Sequence, residues 1–123
     1  MVLIGRRHLR SNNSWMHNAP RLVGGTNRCT LQIHPEDIAR LGLGEQALVK
    51  SAVGSLTVPV EATDSIMPGV VSLPHGWGHS TSSQQVARQH AGVNANVLTD
   101  DSILDVPSGN AVFNGVPVSV TPA

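Results

Sequence analysis

The sequence predicts a mainly β fold with short helices, built as a small barrel, and three observations carry that expectation. The first is that Val, Leu, Ile and Ala must make the core, because 123 residues include one Phe, two Trp and no Tyr, and valine-rich packing favours strands. Short apolar runs also recur between Gly, Pro and Asn punctuation. Finally, the stretch from His34 to His79 reads as short helix, hairpin, Pro-Gly corner and strand. That is a barrel unit.

Val2-Leu3-Ile4 forms an opening strand that Gly5 ends, and its start directly after Met1 is expected of a piece excised from a longer chain. Arg6 to Asn18 is then a polar, amide-rich loop of a kind unusual inside a compact domain. Cys29 to Ile33 alternates as a half-buried strand. Next to it, His34 takes a structural place at the start of a two-turn helix. Pro35 suits the first helical position, Glu36 and Asp37 lie at the positive end of the dipole, and Gly42 stops the helix after Leu41.

Gln46 to Ala52 and Leu56 to Ala62 pair around Val53-Gly54-Ser55. Ala47 and Val49 do not separate cleanly from Leu48 and Lys50, and Pro59 sends the second strand to an edge or a bulge. Met67-Pro68-Gly69 turns into a strand over Val70 to Leu73, which stops at the loop Pro74 to His79. Ser80 to Ala91 is either a marginal helix turn or mobile. Gly92 to Thr99 is expected to be extended, with Asn94 and Asn96 on one side and Val93, Ala95 and Val97 on the other. Asp100 to Gly109 is turn chemistry. Ala111-Val112-Phe113 and Val116 to Val120 then make a terminal hairpin around Asn114-Gly115.

Length fixes one domain over residues 1–123. Eight basic residues balance eight acidic ones, which argues against a dedicated nucleic-acid partner because neutralising many phosphates needs a basic excess. Five arginines nevertheless precede the first acidic residue, Glu36, so a local positive lobe survives. One cysteine allows no internal disulfide and no cysteine-based zinc site. No run approaches the ~20 apolar residues of a membrane span. The expected setting is cytoplasmic.

Three loops carry residue types suited to holding a ligand. In the first, the guanidinium groups of Arg6 and Arg7 suit phosphate or carboxylate oxygens, and Asn12 and Asn13 offer donors and acceptors to a heterocycle edge. Trp15 adds a flat apolar face, with His17 close behind. Solvated arginines and ordinary Asn-Ser turns are the alternative. The second loop gathers His75, Gly76, Trp77, Gly78 and His79. Its two histidines stand four apart, but the glycines and Pro74 argue against the helix that would make them a zinc pair, so no metal ligand is assigned. Asn94 and Asn96 form the third group, or else an exposed bend. No nucleophile elbow, Walker loop or dinucleotide fingerprint occurs, and no residue is assigned a catalytic role.

Taken in order, these motifs resemble the C-terminal molybdopterin dinucleotide-binding domain of the dimethyl-sulfoxide-reductase family, which includes formate dehydrogenases and nitrate reductases. The resemblance rests on Gly5-Arg6-Arg7, Ser11 to Asn18, Ile33 to Leu43, Ser51 to Ser55, Met67 to Val71, His75 to His79, Val93 to Thr99 and Asp105 to Gly109. It covers essentially the entire chain. It implies a six-stranded double-psi β-barrel, as in aspartate decarboxylase, that binds and shields molybdopterin guanine dinucleotide within a larger molybdenum-dependent oxidoreductase. Carried over by position, Arg6, Arg7, Asn12, Asn13, Trp15 and His17 supply pterin or phosphate contacts, and His75, Gly76, Trp77, Gly78, Asn94 and Asn96 close on the pterin. The metal is held by other parts of the parent, so Cys29 is not a molybdenum ligand. The implied partners are the cofactor and the parent's other domains, and the isolated domain is expected to be inactive alone. Two rivals remain at this point: a free-standing β-barrel interaction module without cofactor, with a closed surface over Asn94 and Asn96, and a decarboxylase-like enzyme cleaved at Gly54-Ser55.

Overall fold

A computed structural model describes residues 1–123. Seven strands form one nearly closed, barrel-like sheet: β1 (Val2–Arg6), β2 (Leu31–Ile33), β3 (Gln46–Lys50), β4 (Ser55–Ala62), β5 (Val70–Pro74), β6 (Val116–Pro117) and β7 (Ser119–Pro122). Three short helices, α1 (Pro20–Val23), α2 (Pro35–Leu41) and α3 (Gln85–Gln89), lie in the connections. The spatial order is β6-β1-β5-β2-β4-β3-β7. Its two edge strands are consecutive in the chain, separated only by Val118. That residue's N–H donates to the Met1 carbonyl at 3.0 Å, and the Met1 ammonium donates back at 2.8 Å. One segment therefore covers both edges of the sheet, which removes exposed backbone from each.

Twelve buried side chains fill the interior, among them Leu3, Leu31, Ile33, Val49, Val58, Val71, Leu73 and Leu98. Each apolar side chain removed from water contributes about 1.5–3 kcal/mol. The strand β3 alternates strictly, with Ala47 and Val49 fully buried and Leu48 exposed, so the expected mixing of its faces does not occur. Helix α2 has the predicted bounds. Its cap is His34, whose Nδ1 accepts from the Glu36 N–H at 3.2 Å, and Gly42 closes the other end at φ 64°. On its inner side, the Asp37 carboxylate accepts from Arg40 and, at 2.6 Å, from the Gly69 N–H. That bond ties the helix to the Pro-Gly corner.

Several sequence expectations are corrected. β1 runs on through Gly5 and Arg6, because β5 continues to offer partners at Leu73 and Pro74. Pro59 is not on an edge: β4 lies between β2 and β3. It pairs with β3 up to Pro59 and with β2 from Val60, so the missing N–H falls where the strand changes neighbours. The terminal hairpin does not form. Val116 and Pro117 pair with β1 instead, while the Asn114 side chain accepts from the Gly5 N–H at 2.7 Å and Gly115 donates to Leu3 at 3.0 Å. An open edge on β1 wins over the local turn. Of the two options for Ser80 to Ala91 the helix turn is found, anchored by buried Ala87, whose N–H donates to Asn18 at 3.3 Å. Finally, Ala95–Leu98 is a 3-10 turn rather than an extended segment, and Asn94 caps it.

Candidate functional site

Strand pairing decides where the loops go. β1 and β5 are parallel and in register, with Arg6 opposite Pro74, so the chain leaves both strands at the same end of the sheet. The first step outside that pair keeps them together, as the His75 N–H donates to the Arg6 carbonyl at 3.1 Å. The third loop is tied in by Gly78 and His79, whose N–H groups donate to the Ala91 carbonyl at 2.8 and 3.0 Å. The result is one opening.

A cleft of about 440 Å³ lies there, lined by Arg7, Asn13, His75, Gly76, Trp77, Asn94, Asn96 and Phe113. Every lining residue except Phe113 is one that the sequence singled out. Arg7 is exposed and donates to the Asn13 side-chain oxygen at 2.5 Å. Asn12 and Asn13 take left-handed conformations, at φ 42° and 61°, which asparagine tolerates better than most residues. Gly76 sits at φ 87°, and a Cβ there would collide with the Asn13 carbonyl. Only glycine lets the first two loops touch. His75 lies edge-on to Phe113 with ring centroids 5.6 Å apart. Burial first and then the charge of Arg7 lower the proton affinity of its imidazole, so near neutral pH it presents one donor and one acceptor.

The other predicted residues lie elsewhere. Arg6 turns into the body of the fold, donating to Ser72 at 2.6 Å and to the backbone and side chain of Thr30 at 2.8 and 2.9 Å. Asn12 does not line the cleft, and Trp15 is 82% exposed away from it. Gly78 packs its backbone against Asn94, where a Cβ would approach the Asn94 Cβ to 2.6 Å. His17 is buried behind the cleft, stacked on Trp77 at 3.9 Å with Nδ1 2.7 Å from His79 Nε2. Two residues escaped the reading of roles from sequence: Phe113, which was assigned to a hairpin, and His79 as the partner of His17. Being the only Phe in the chain was the sole sequence signal for the former.

Cys29 is buried, with burial raising its thiol above the usual range, and its sulfur accepts from the Val93 N–H at 3.2 Å. No group of three or more His, Cys, Asp or Glu is placed to hold a metal ion. No helix is long and apolar enough to cross a membrane.

Residues 1–117 match the family described as "Molydopterin dinucleotide binding domain". This chain belongs to that family. As a molybdopterin dinucleotide-binding domain it is similar to part of the molybdopterin-containing arsenate respiratory reductase protein of Chrysiogenes arsenatis. The two are 29% identical over 94% of this chain and 15% of that protein. It is 28% identical to a tetrathionate reductase chain of Salmonella typhimurium, over 82% of this chain and 12% of the relative. The domain thus spans a small fraction of these curated relatives. Among solved structures, acetylene hydratase from Pelobacter acetylenicus superposes with a TM-score of 0.78 at 21% identity, covering all of this chain and 18% of that one. The fold is shared.

Proposed function

We propose that the cleft between the three loops is where this domain holds its pterin dinucleotide, as the C-terminal cap of a molybdenum-dependent oxidoreductase. The observation that carries the reading is the meeting of Arg7, Asn13, Asn94 and Asn96 at one opening. Their chemistry fits the group. A guanidinium offers paired donors to pyrophosphate oxygens, and carboxamides both donate to and accept from a pterin edge. Gly76 leaves room for main chain to approach a flat ring, and buried Trp77 Nε1 has no partner within the protein. When bound, the cofactor supplies a metal centre that exchanges electrons with substrate. This chain's residues bind it, orient it and exclude water from one side.

Three finer statements belong to the same proposal. The nucleotide is guanine, and the parent is formate dehydrogenase-like and cytoplasmic, readings supported by the order of motifs and by a single cysteine that allows no internal disulfide. The barrel is of the six-stranded double-psi type if β6 and β7 count as one strand bent at Val118, which the shared closure of both edges supports. Against the cofactor-free module stands the open cleft at Asn94 and Asn96. Against a self-cleaving decarboxylase stands Gly54-Ser55, held in the β3–β4 turn by the Ser51 N–H at 2.8 Å from the Gly54 carbonyl.

Calorimetric titration with GDP and with pterin-6-carboxylate tests the site. Each probe is expected to bind saturably, with Asn94→Ala or Asn96→Ala weakening the pterin about tenfold. No saturable heat from either probe would overturn the reading.

A further inference from the structure

His17 and His79 lie outside the set of residues that line the cleft, yet they are joined to it through Trp77. The first loop brings His17 beneath the second: its ring centroid is 3.9 Å from that of Trp77 with an interplanar angle of 29°. Its Nδ1 is 2.7 Å from His79 Nε2, and the two imidazoles meet edge-on at 5.0 Å. Such a contact requires one nitrogen to donate and the other to accept, so at least one of the two rings must be neutral. His17 is 1% exposed and Trp77 7% exposed, so neither side chain reaches bulk water to any extent. His79 is only half-buried and gives the pair its contact with solvent.

We propose that His17 is a positioning residue for the cofactor cleft: it fixes the Trp77 indole as one wall by stacking on it and by sharing a proton with His79 on the same loop. The proposal rests on the reading that the cleft holds the pterin dinucleotide. An indole is held in place by a stacked ring on one face, and the hydrogen bond sets the rotation of that ring. The second loop, Pro74 to His79, is thereby clamped to the first through side chains, in addition to the packing of Trp77 against Val23 and Cys29. Adding a second proton to the pair replaces a hydrogen bond by two facing cations, with His8 the remaining titratable group that acts on His17. Acid then loosens the wall. Burial, followed by the neighbouring His79, lowers the proton affinity of His17, which keeps the clamp closed near neutral pH.

The test uses two readouts. With Trp15→Phe, Trp77 is the only indole in the chain, and its emission reports on the stacked ring because an imidazolium quenches indole. Emission is expected to fall as the solution is acidified. That titration should weaken and shift in His17→Phe, which keeps a stacked ring but leaves only His79, 6.4 Å from the indole, to act on it, and should shift in His79→Asn, which leaves the stack intact. In chains with Trp15 restored, His17→Ala is expected to weaken pterin-6-carboxylate binding about tenfold at pH 7.5, and His17→Phe less. The same pH profile in parent and His17→Phe overturns the clamp. Unchanged pterin affinity in His17→Ala overturns its role in positioning. If the parent binds neither pterin-6-carboxylate nor GDP, the cleft reading falls along with the positioning role, and the emission profile still decides the clamp.

Discussion

Arg6 and Arg7 are neighbours with the same side chain, and the end of β1 between them gives them different duties. Arg6 points under the sheet, where its guanidinium donates to Ser72, Thr30 and Arg28 and lies 3.8 Å from Glu61. Burial opposes ionisation of that carboxylate, but the Thr30 hydroxyl, the Gln32 amide and Arg6 outweigh it and hold Glu61 below the usual range. Arg7 is exposed, with one donor on Asn13, and lines the cleft. The difference teaches that the end of a strand divides duties: Arg6, the last residue of β1, staples the barrel, while Arg7, one step past it, is left for a ligand.

The largest expected effect breaks the comparison on the buried side. Arg6→Met should cost about 3 kcal/mol in urea unfolding, because it removes the donor to the Ser72, Thr30 and Arg28 carbonyls and the cation beside Glu61. If it unfolds at the same midpoint as the parent, Arg6 is not a staple. Next is Asp37→Asn, expected to cost about 2 kcal/mol. The donors of Arg40 and then of Gly69 hold the Asp37 carboxyl below the usual range. Such a group stabilises the fold above its unfolded-state value near 3.8, and the contribution is lost as pH falls through the lower folded value. An acid unfolding series should therefore be shallower below about pH 4 in Asp37→Asn than in the parent.

Gly76→Ala sharpens the contrast on the cleft side. With a Cβ driven at Asn13 and a left-handed backbone, it should cost about 1–2 kcal/mol and abolish pterin binding. The smallest effect on stability is Arg7→Ala, expected within about 0.5 kcal/mol of the parent. The same variant should weaken GDP binding about tenfold. A stability loss as large as that of Arg6→Met would erase the distinction between the two arginines.

Local chemistry made much of this legible. The span Pro35–Leu41 follows from Pro at the start and Gly at the end, signals that act within one turn. The strands β3, β4 and β5 follow from apolar runs with clear breakers on each side. The cleft residues were legible as types, because amides, glycines and guanidinium groups outside a core pattern need some other use. What failed was pairing. Asn114-Gly115 is a strong local turn signal, yet its flanking residues found better partners on β1, and Pro59 was tolerated inside the sheet because its strand changes neighbours there.

The sequence by itself determined the strands β3, β4 and β5, the caps of α2, and which loops carry ligand-type side chains, because those preferences depend on a few adjacent residues. Tertiary structure alone decided that β1 and β5 run parallel, which brings the first two loops to the same end of the barrel. It also decided that Arg6 faces inward and that His17 lies behind Trp77 rather than beside it. These outcomes depend on hydrogen bonds and burial between residues some sixty positions apart, which no local pattern encodes.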